Sequence, residues 1–270
     1  MSIVIKTAEE IEKMRAAGKL AAQVLEMIAP HVKAGVTTDE LNDICAKFTE
    51  ENGAISAPLN YHGFPKSICT SINEVICHGI PSARKLIDGD IINIDITVIL
   101  DGYHGDTSQM FYIGEVSAAD KHLATITQES LYEAIRMVKP GVKVCDIGET
   151  IEKFIKLKNK NRPNKYSIVT DFCGHGIGSG FHEEPQVMHY KEKFGTPDKR
   201  VLRPGMCFTI EPMINAGKKH CYVSTEDNWT AYTKDGKNSA QWEHTLLVTE
   251  TGVEVLTLRN DETLPRVINH

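Results

Sequence analysis

Val32-Lys33-Ala34-Gly35-Val36 and, 106 positions later, Val138-Lys139-Pro140-Gly141-Val142 are near copies, and the sequence around each reads alike. Before the first copy, Ile11, Met14, Ala17, Ala21, Val24, Leu25 and Ile28 recur at helical spacing behind a Thr7/Glu10 capping-box signature, and Pro30 closes the segment. After it, Thr37 and Glu40 cap a second helix whose apolar face is Leu41, Ile44 and Phe48, stopped by Asn52-Gly53. The second copy is flanked in the same way. A long helix starts near Ser117 and runs through Ile126, Leu131 and Ile135, and a further helix carries Ile147, Ile151 and Ile155. Another echo has an offset of 116: Leu86, Gly89, Ile94 and Asp95 match Leu202, Gly205, Ile210 and Glu211. The difference between the two offsets falls on the loop at 158–165. One five-residue match could be chance, but two in the same order, between the same element signals, point to duplication. The expectation is one α+β domain over 1–270, built from pseudo-repeats at about 7–115 and 116–257. Each repeat gives two helices and several antiparallel strands to a shared centre. Residues 261–270 carry no such signal, and a disordered tail is expected there.

The strands bring the first chemistry. Ile91–Leu100 and 110–113 are rich in β-branched and other apolar residues, and Asp101-Gly102 between them is a strong hairpin signal. A turn there pairs Leu100 with Tyr103 and Thr97 with Asp106, so Asp95 and Asp106 share a face as diagonal neighbours. A turn shifted to Leu100-Asp101 puts them directly opposite, still on one face. Two carboxylates on one face of an apolar strand are costly, because like charges resist joint ionisation. A lone strand aspartate usually faces solvent. Here, however, the duplicate of Asp95 is Glu211, in Ile210-Glu211-Pro212, and Glu243 follows on a strand-like segment at 241–248. Acids at corresponding places in both halves are best explained by a central cation site.

Cys173-Gly174-His175-Gly176-Ile177-Gly178-Ser179-Gly180 offers an imidazole, His175, on a glycine-rich stretch. The stretch is not a dinucleotide fingerprint, since Ser179 and Phe181 stand where the last glycine belongs, and His182-Glu183-Glu184-Pro185 is not a zinc H-E-x-x-H motif. Oxygen-rich ligation with one imidazole suits Mn, Fe(II), Co or Zn.

Bulk properties narrow the class. The formal charge of −6 argues against nucleic acid as the main ligand. No run approaches the roughly 20 apolar residues of a membrane span, and the first residues lack a secretory h-region. Seven cysteines, an odd number with no C-x-x-C pair, read as reduced thiols of a cytoplasmic protein.

Five segments then make a specific resemblance. Cys77-His78-Gly79-Ile80-Pro81, 93–95 with Asp106, 174–185, 209–213 and 242–245 are similar to the signatures of the type I methionine aminopeptidases, in family order and covering about 7–257. The resemblance implies the duplicated pita-bread fold, an antiparallel sheet flanked by helices. It also implies a dinuclear centre of two divalent ions. Asp106 and Glu243 would bridge them, Asp95 would hold one, and His175 with Glu211 the other. His78 and His182 would contact substrate, and Glu211 would shuttle the nucleophile's proton. Tyr61, Phe64, Cys69, Phe181 and Trp229, which taken alone read as core, would line the pocket for a methionine side chain. Asn73, Val75 and Ser239 match positions whose oxygens bind a monovalent cation in some members. The remaining histidines read as ordinary: His62, His104 and His244 as structural, and His31, His122, His189, His220 and His270 as surface.

The implied activity is removal of the first methionine from nascent proteins with a small second residue, by a monomer without membrane or specific nucleic-acid partners. The nearest rival is an X-Pro aminopeptidase of the same fold; such enzymes usually add an amino-terminal domain, and none is expected before Thr7. The rival of another class is a non-catalytic ribosome-associated binding protein, which would predict missing ligands, whereas all five are filled. Two departures stand out. Pro58 sits where relatives commonly place a cysteine at the pocket rim. The basic stretch 156–165, with Lys158, Lys160 and Arg162, is longer than in compact members and reads as a solvated loop or as a contact to ribosomal RNA.

Overall fold

Both capping boxes form. Glu10 N–H and Glu40 N–H donate to the Thr7 and Thr37 hydroxyls, and each glutamate takes the threonine N–H in return, starting α1 (Ala8–Ile28) and α2 (Thr38–Glu51). Ser117 caps α3 (Ala118–Met137), and α4 spans Val144–Lys158. The chain is described over residues 2–192 and 195–270 in a computed structural model.

The duplication is visible in matching hydrogen bonds. Gly35 N–H donates to Leu86 O, and Leu86 N–H donates to Val36 O; Gly141 N–H donates to Leu202 O, and Leu202 N–H donates to Val142 O. The isolated bridges Thr37 to Lys85 and Lys143 to Val201 repeat this at the same offsets. Each helix pair covers its own core. Leu20, Val24, Leu41 and Cys45 pack on Ile92, Ile94 and Ile96 in the first half; Leu123, Leu131, Ile147 and Ile151 pack on Phe208, Ile210 and Leu246 in the second.

The hairpin adopts the register expected from Asp101-Gly102. Ile91–Leu100 pairs antiparallel with Tyr103–Tyr112, Leu100 opposite Tyr103 and Thr97 opposite Asp106. Asp101 (φ 50°) and Gly102 (φ 79°) both adopt left-handed backbone, as the two-residue turn requires. In the second half a six-stranded antiparallel sheet runs Val267–Asn269, Gly252–Val255, His244–Val248, Cys207–Ile210, Gly174–Gly176, Glu183–Val187. α1 lies directly on the hairpin, because Gly105 has no Cβ; one there would come within 2.4 Å of the Ala17 backbone.

Three expectations change. The segment at 241–248 is not one strand: Ser239–Gln241 pairs with Met213–Asn215, whereas His244–Val248 pairs with Cys207–Ile210. The chain changes partner at Trp242-Glu243, and Glu243 there bridges to Ser108 of the other half. The tail is ordered at Val267–Asn269, which adds to Gly252–Val255 as an edge strand; the short alternating segment was too weak a signal to read. The basic stretch is part helix: α4 runs to Lys158, whose ammonium pairs with Glu129, and Arg162 lies over the Tyr166 ring.

A buried polar network braces the seam from behind. Arg259, fully buried, donates to Thr107 Oγ1 at 2.7 Å and faces Glu262 at 3.0 Å; Thr107 Oγ1 in turn donates to Glu243 O. Glu262 also meets His244 Nε2 at 2.9 Å and the Tyr132 hydroxyl at 2.5 Å. Burial would raise the Glu262 carboxyl, but His244, Arg259 and the Tyr132 hydroxyl outweigh it and hold it down at about 2. A carboxyl depressed in the native state stabilises above its unfolded pKa, near 4.5, and loses that contribution as pH falls toward 2. Glu262→Gln should therefore lower unfolding stability at pH 7 by about 1–3 kcal/mol. In urea titrations its gap to the unaltered chain should narrow progressively from about pH 4.5 downward; a pH-independent gap would refute this account.

Candidate metal centre

The centre is built where the two halves touch. Thr245 Oγ1 donates to Asp106 O at 2.7 Å, Asp106 N–H donates to Thr245 Oγ1 at 3.2 Å, and Glu243 N–H donates to Ser108 O. Asn93 Nδ2 bonds both Ser108 Oγ and Gln241 O. These contacts place Asp106 and Glu243 face to face across the seam. One ligand atom each from Asp106, His175 and Glu243 lie within 4.8 Å of one another. His175 Nε2 is 3.5 Å from Asp106 Oδ2 and 3.7 Å from Glu211 Oε1. Asp95, on the hairpin face that also carries Thr97 and Asp106, lines the same cavity.

The electrostatics ask for a cation. Burial and the neighbouring carboxylates raise Asp95 and Glu243 well above the carboxylate range, and burial lifts Glu211 to about 7. Among the described residues, no lysine or arginine forms an ion pair with any of the four acids, and Asp95 Oδ1 is buried without a hydrogen-bond partner. The ligand atoms are also prepared. Thr97 Oγ1 donates to Asp106 Oδ1, Thr209 Oγ1 donates to Glu211 Oε1, and Gln241 Nε2 reaches Glu211 Oε2. His175 Nδ1 sits 2.9 Å from Gly176 O, which can only accept, so Nδ1 carries a proton and Nε2 is the nitrogen turned to the acids. Burial pulls the His175 imidazole down, but Asp106 and Glu211 win and hold it above its ordinary value. An oxygen-rich set with one free imidazole nitrogen fits a divalent metal.

A cavity of ≈ 280 Å³ opens on this cluster. All five candidate ligands line it, as do His78, His182, Tyr61, Phe64, Cys69, Phe181 and Trp229. The aromatic wall is interlocked: Tyr61 and Phe181 centroids are 4.8 Å apart, and Phe64 meets Trp229 edge-on at 5.2 Å. Tyr61 Oη lies 2.7 Å from His182 Nδ1. Burial, then the His175 charge, lowers His182 to about 4, and burial lowers His78 too, so both are neutral near pH 7. Pro58, a buried residue, also lines the cavity.

The third predicted set lies elsewhere. Asn73 and Val75 border a separate surface cleft, and Asn73 O is already taken by Ser239 N–H at 2.8 Å. The reading of His189 as a surface residue is overturned: it is 1% exposed, and its Nε2 accepts the Glu211 N–H. Burial drives it down to about 3, which keeps that acceptor neutral. Sequence reading also missed Thr97, Asp171, Phe172, Cys173 and Met213 in the lining. Strand parity with Asp95 pointed to Thr97; nothing local marks Asp171 or Phe172, and Met213 begins a new strand beyond Glu211-Pro212.

The profile of metallopeptidase family M24 matches residues 12–250. The chain belongs to metallopeptidase family M24. It is 57% identical to the methionine aminopeptidase of Escherichia coli (strain K12), an alignment covering all of this chain and 99% of that one. The crystal structure of methionine aminopeptidase from Rickettsia prowazekii matches 95% of this chain and 100% of its own with a TM-score of 0.90 at 50% identity. The X-Pro aminopeptidase from Thermotoga maritima MSB8 shares the fold alone, at 24% identity and a TM-score of 0.72, and this chain covers 64% of it. The doubled α+β architecture is thus the pita-bread fold of the M24 peptidases, and the acid cluster is suited to divalent metal.

Metal should act as part of this fold. Chelator-treated protein given Mn²⁺ at about a hundred times its dissociation constant should gain roughly 2.7 kcal/mol, read as a rise in Tm. Glu243→Gln should abolish most of that rise while leaving the metal-free protein no less stable, since it removes a carboxylate that burial already disfavours. A full Mn²⁺ response in this variant would remove Glu243 from the ligand set.

Proposed function

We propose that this chain removes the amino-terminal methionine from nascent polypeptides whose second residue is small. The reading is carried by one observation: the five metal-competent side chains and the aromatic wall share a single small cavity. Asp106 and Glu243 would bridge two divalent ions, Asp95 would hold one, and His175 with Glu211 the other; Co, Mn, Fe and Zn all suit these ligands. When bound, the ions supply Lewis acidity to the scissile carbonyl and the attacking water. The chain supplies the rest. Glu211, oriented by Thr209 and Gln241, receives the water's proton. With the Tyr61 phenol donating to Nδ1, neutral His182 presents Nε2–H to the peptide being cut. Neutral His78 hydrogen-bonds the tetrahedral centre or the leaving nitrogen. The free amine is recognised at the Asp95 end, which restricts cleavage to chain termini. Tyr61, Phe64, Cys69, Phe181 and Trp229 enclose the thioether, a polarisable group that suits aromatic edges. Burying that side chain is worth about 1.5–3 kcal/mol, enough to prefer methionine.

A monovalent cation at Asn73, Val75 and Ser239, a monomeric state and a cytoplasmic setting belong to the same reading. The last is supported by seven unpaired cysteines; no helix among the described residues is long and apolar enough to cross a membrane. Contact with the ribosome through Lys160, Arg162 and Lys165 would give salt-sensitive co-sedimentation that is lost on neutralising them.

Chelator-stripped enzyme reloaded with single metals should cleave Met-Gly peptides and leave Met-Leu and X-Pro peptides largely intact. Glu211→Gln should lower kcat roughly 10²–10⁴-fold. Cleavage of the X-Pro peptide alone would overturn the assignment.

A further inference from the structure

Lys6 is a lysine with a nearly inaccessible side chain, far in sequence from the centre. Its Nζ lies 2.6 Å from Glu183 Oε2, with the two side chains 2% and 14% exposed. The backbone before α1 is pinned as well, since Lys6 N–H donates to Gly205 O at 2.8 Å. Glu183 uses its second oxygen on the glycine loop: Oε1 accepts the Gly180 N–H at 2.9 Å. The ammonium itself fills the space beside Gly178, where a Cβ would come within 2.4 Å of Nζ and 2.7 Å of Glu183 Oε1. Gly178 O in turn accepts the His104 N–H, and the His104 ring stacks on Phe181 at 5.5 Å. Phe181 stacks on His182 at 4.3 Å, and both line the cavity. A continuous set of contacts therefore runs from the start of the chain to the two side chains that the loop inserts into the site.

We propose that Lys6 is a positioning residue: through Glu183 it straps the loop at 178–183 so that Phe181 and His182 keep their places in the cavity. The proposal rests on the reading that this cavity takes the substrate. An ion pair of this burial could instead serve stability alone, and the two roles separate cleanly. A pair needed only for stability can be replaced by two apolar side chains with little loss. A strap cannot, because the apolar pair leaves Gly180 N–H without its acceptor.

Three variants of the holoenzyme test this: Lys6→Met, Lys6→Met with Glu183→Met, and Glu183→Gln, which keeps an oxygen for Gly180. Lys19→Met, an exposed charge on α1, is the control. Amide exchange of a peptide spanning 176–184 should accelerate at least about tenfold in the first two, with α1 still protected. Their kcat/KM on a Met-Gly peptide should fall roughly ten- to a hundredfold, as misplaced contact groups do. Lys19→Met should stay within about threefold of the unaltered enzyme, Glu183→Gln, which keeps the Gly180 acceptor but loses the ion pair with Lys6, should fall between it and Lys6→Met, and the Mn²⁺-induced rise in Tm should persist in all. Unchanged exchange at 176–184 in Lys6→Met, or full activity in the double variant, overturns the strap. If Lys6→Met does not fold, the double variant, freed of an unpaired buried charge, decides alone. Should the unaltered enzyme ignore Met-Gly peptides, the functional reading fails while the exchange arm still reports on the strap.

Discussion

Four carboxylates are buried around one imidazole, with no lysine or arginine paired to them among the described residues. Such a cluster cannot be fully ionised by itself: burial and mutual repulsion push Asp95, Glu211 and Glu243 upward. A divalent ion removes that conflict, so cation binding and the stability of the centre are one quantity. Much of the surrounding structure serves to keep the acids where this conflict exists. Hydroxyls of Thr97, Thr209 and Thr245 hold the carboxylates and their backbone, and Arg259 fixes Thr107 from the side away from the cavity. Unlike a lysine beside the acids, these groups orient the oxygens without neutralising them, which leaves the charge available to metal.

Neither half could build the centre by itself. The first contributes Asp95 and Asp106 from one long hairpin; the second contributes His175 from a short strand, and Glu211 and Glu243 from where its strands are interrupted. The halves keep the same backbone bonds at their helix-loop junctions, yet they have diverged where the seam needs asymmetry. The first half's hairpin is continuous for ten pairs. The equivalent region of the second half is broken at Trp242-Glu243, and that break frees Glu243 to pair with Ser108 across the seam. A regular strand there would keep Glu243 within its own sheet.

The hairpin was legible because a two-residue turn with left-handed backbone is local chemistry, and once Asp101-Gly102 is fixed, parity puts Asp95 and Asp106 on one face. The duplication was legible because a loop pairing with a distant strand end needs the same residues both times. The strand break, the edge strand at Val267–Asn269 and the burial of His189 were not legible. Each depends on which distant element lies alongside, and His189 looks like any loop histidine until the Glu211 amide is found facing it. The pocket walls show the same division: Thr97 follows from strand parity with Asp95, whereas Asp171 and Phe172 arrive on an irregular segment and Met213 follows a strand break.

Cavity size links the two parts of the site. At ≈ 280 Å³ it lies just below the roughly 300–1,000 Å³ common for ligand pockets. That suits one side chain with its peptide unit. An apolar wall alone separates methionine from leucine only modestly. In the proposed reaction, selectivity therefore comes from joining that wall to a polar floor at fixed distance. A side chain must fill the aromatic box while its own free amine reaches Asp95 and its carbonyl meets His182. Internal peptide bonds would offer no amine at that end. Holding floor and wall in register is then as much a part of specificity as the contacts themselves, which is why the loop bearing Phe181 and His182 is tied down at both its glycines and its glutamate.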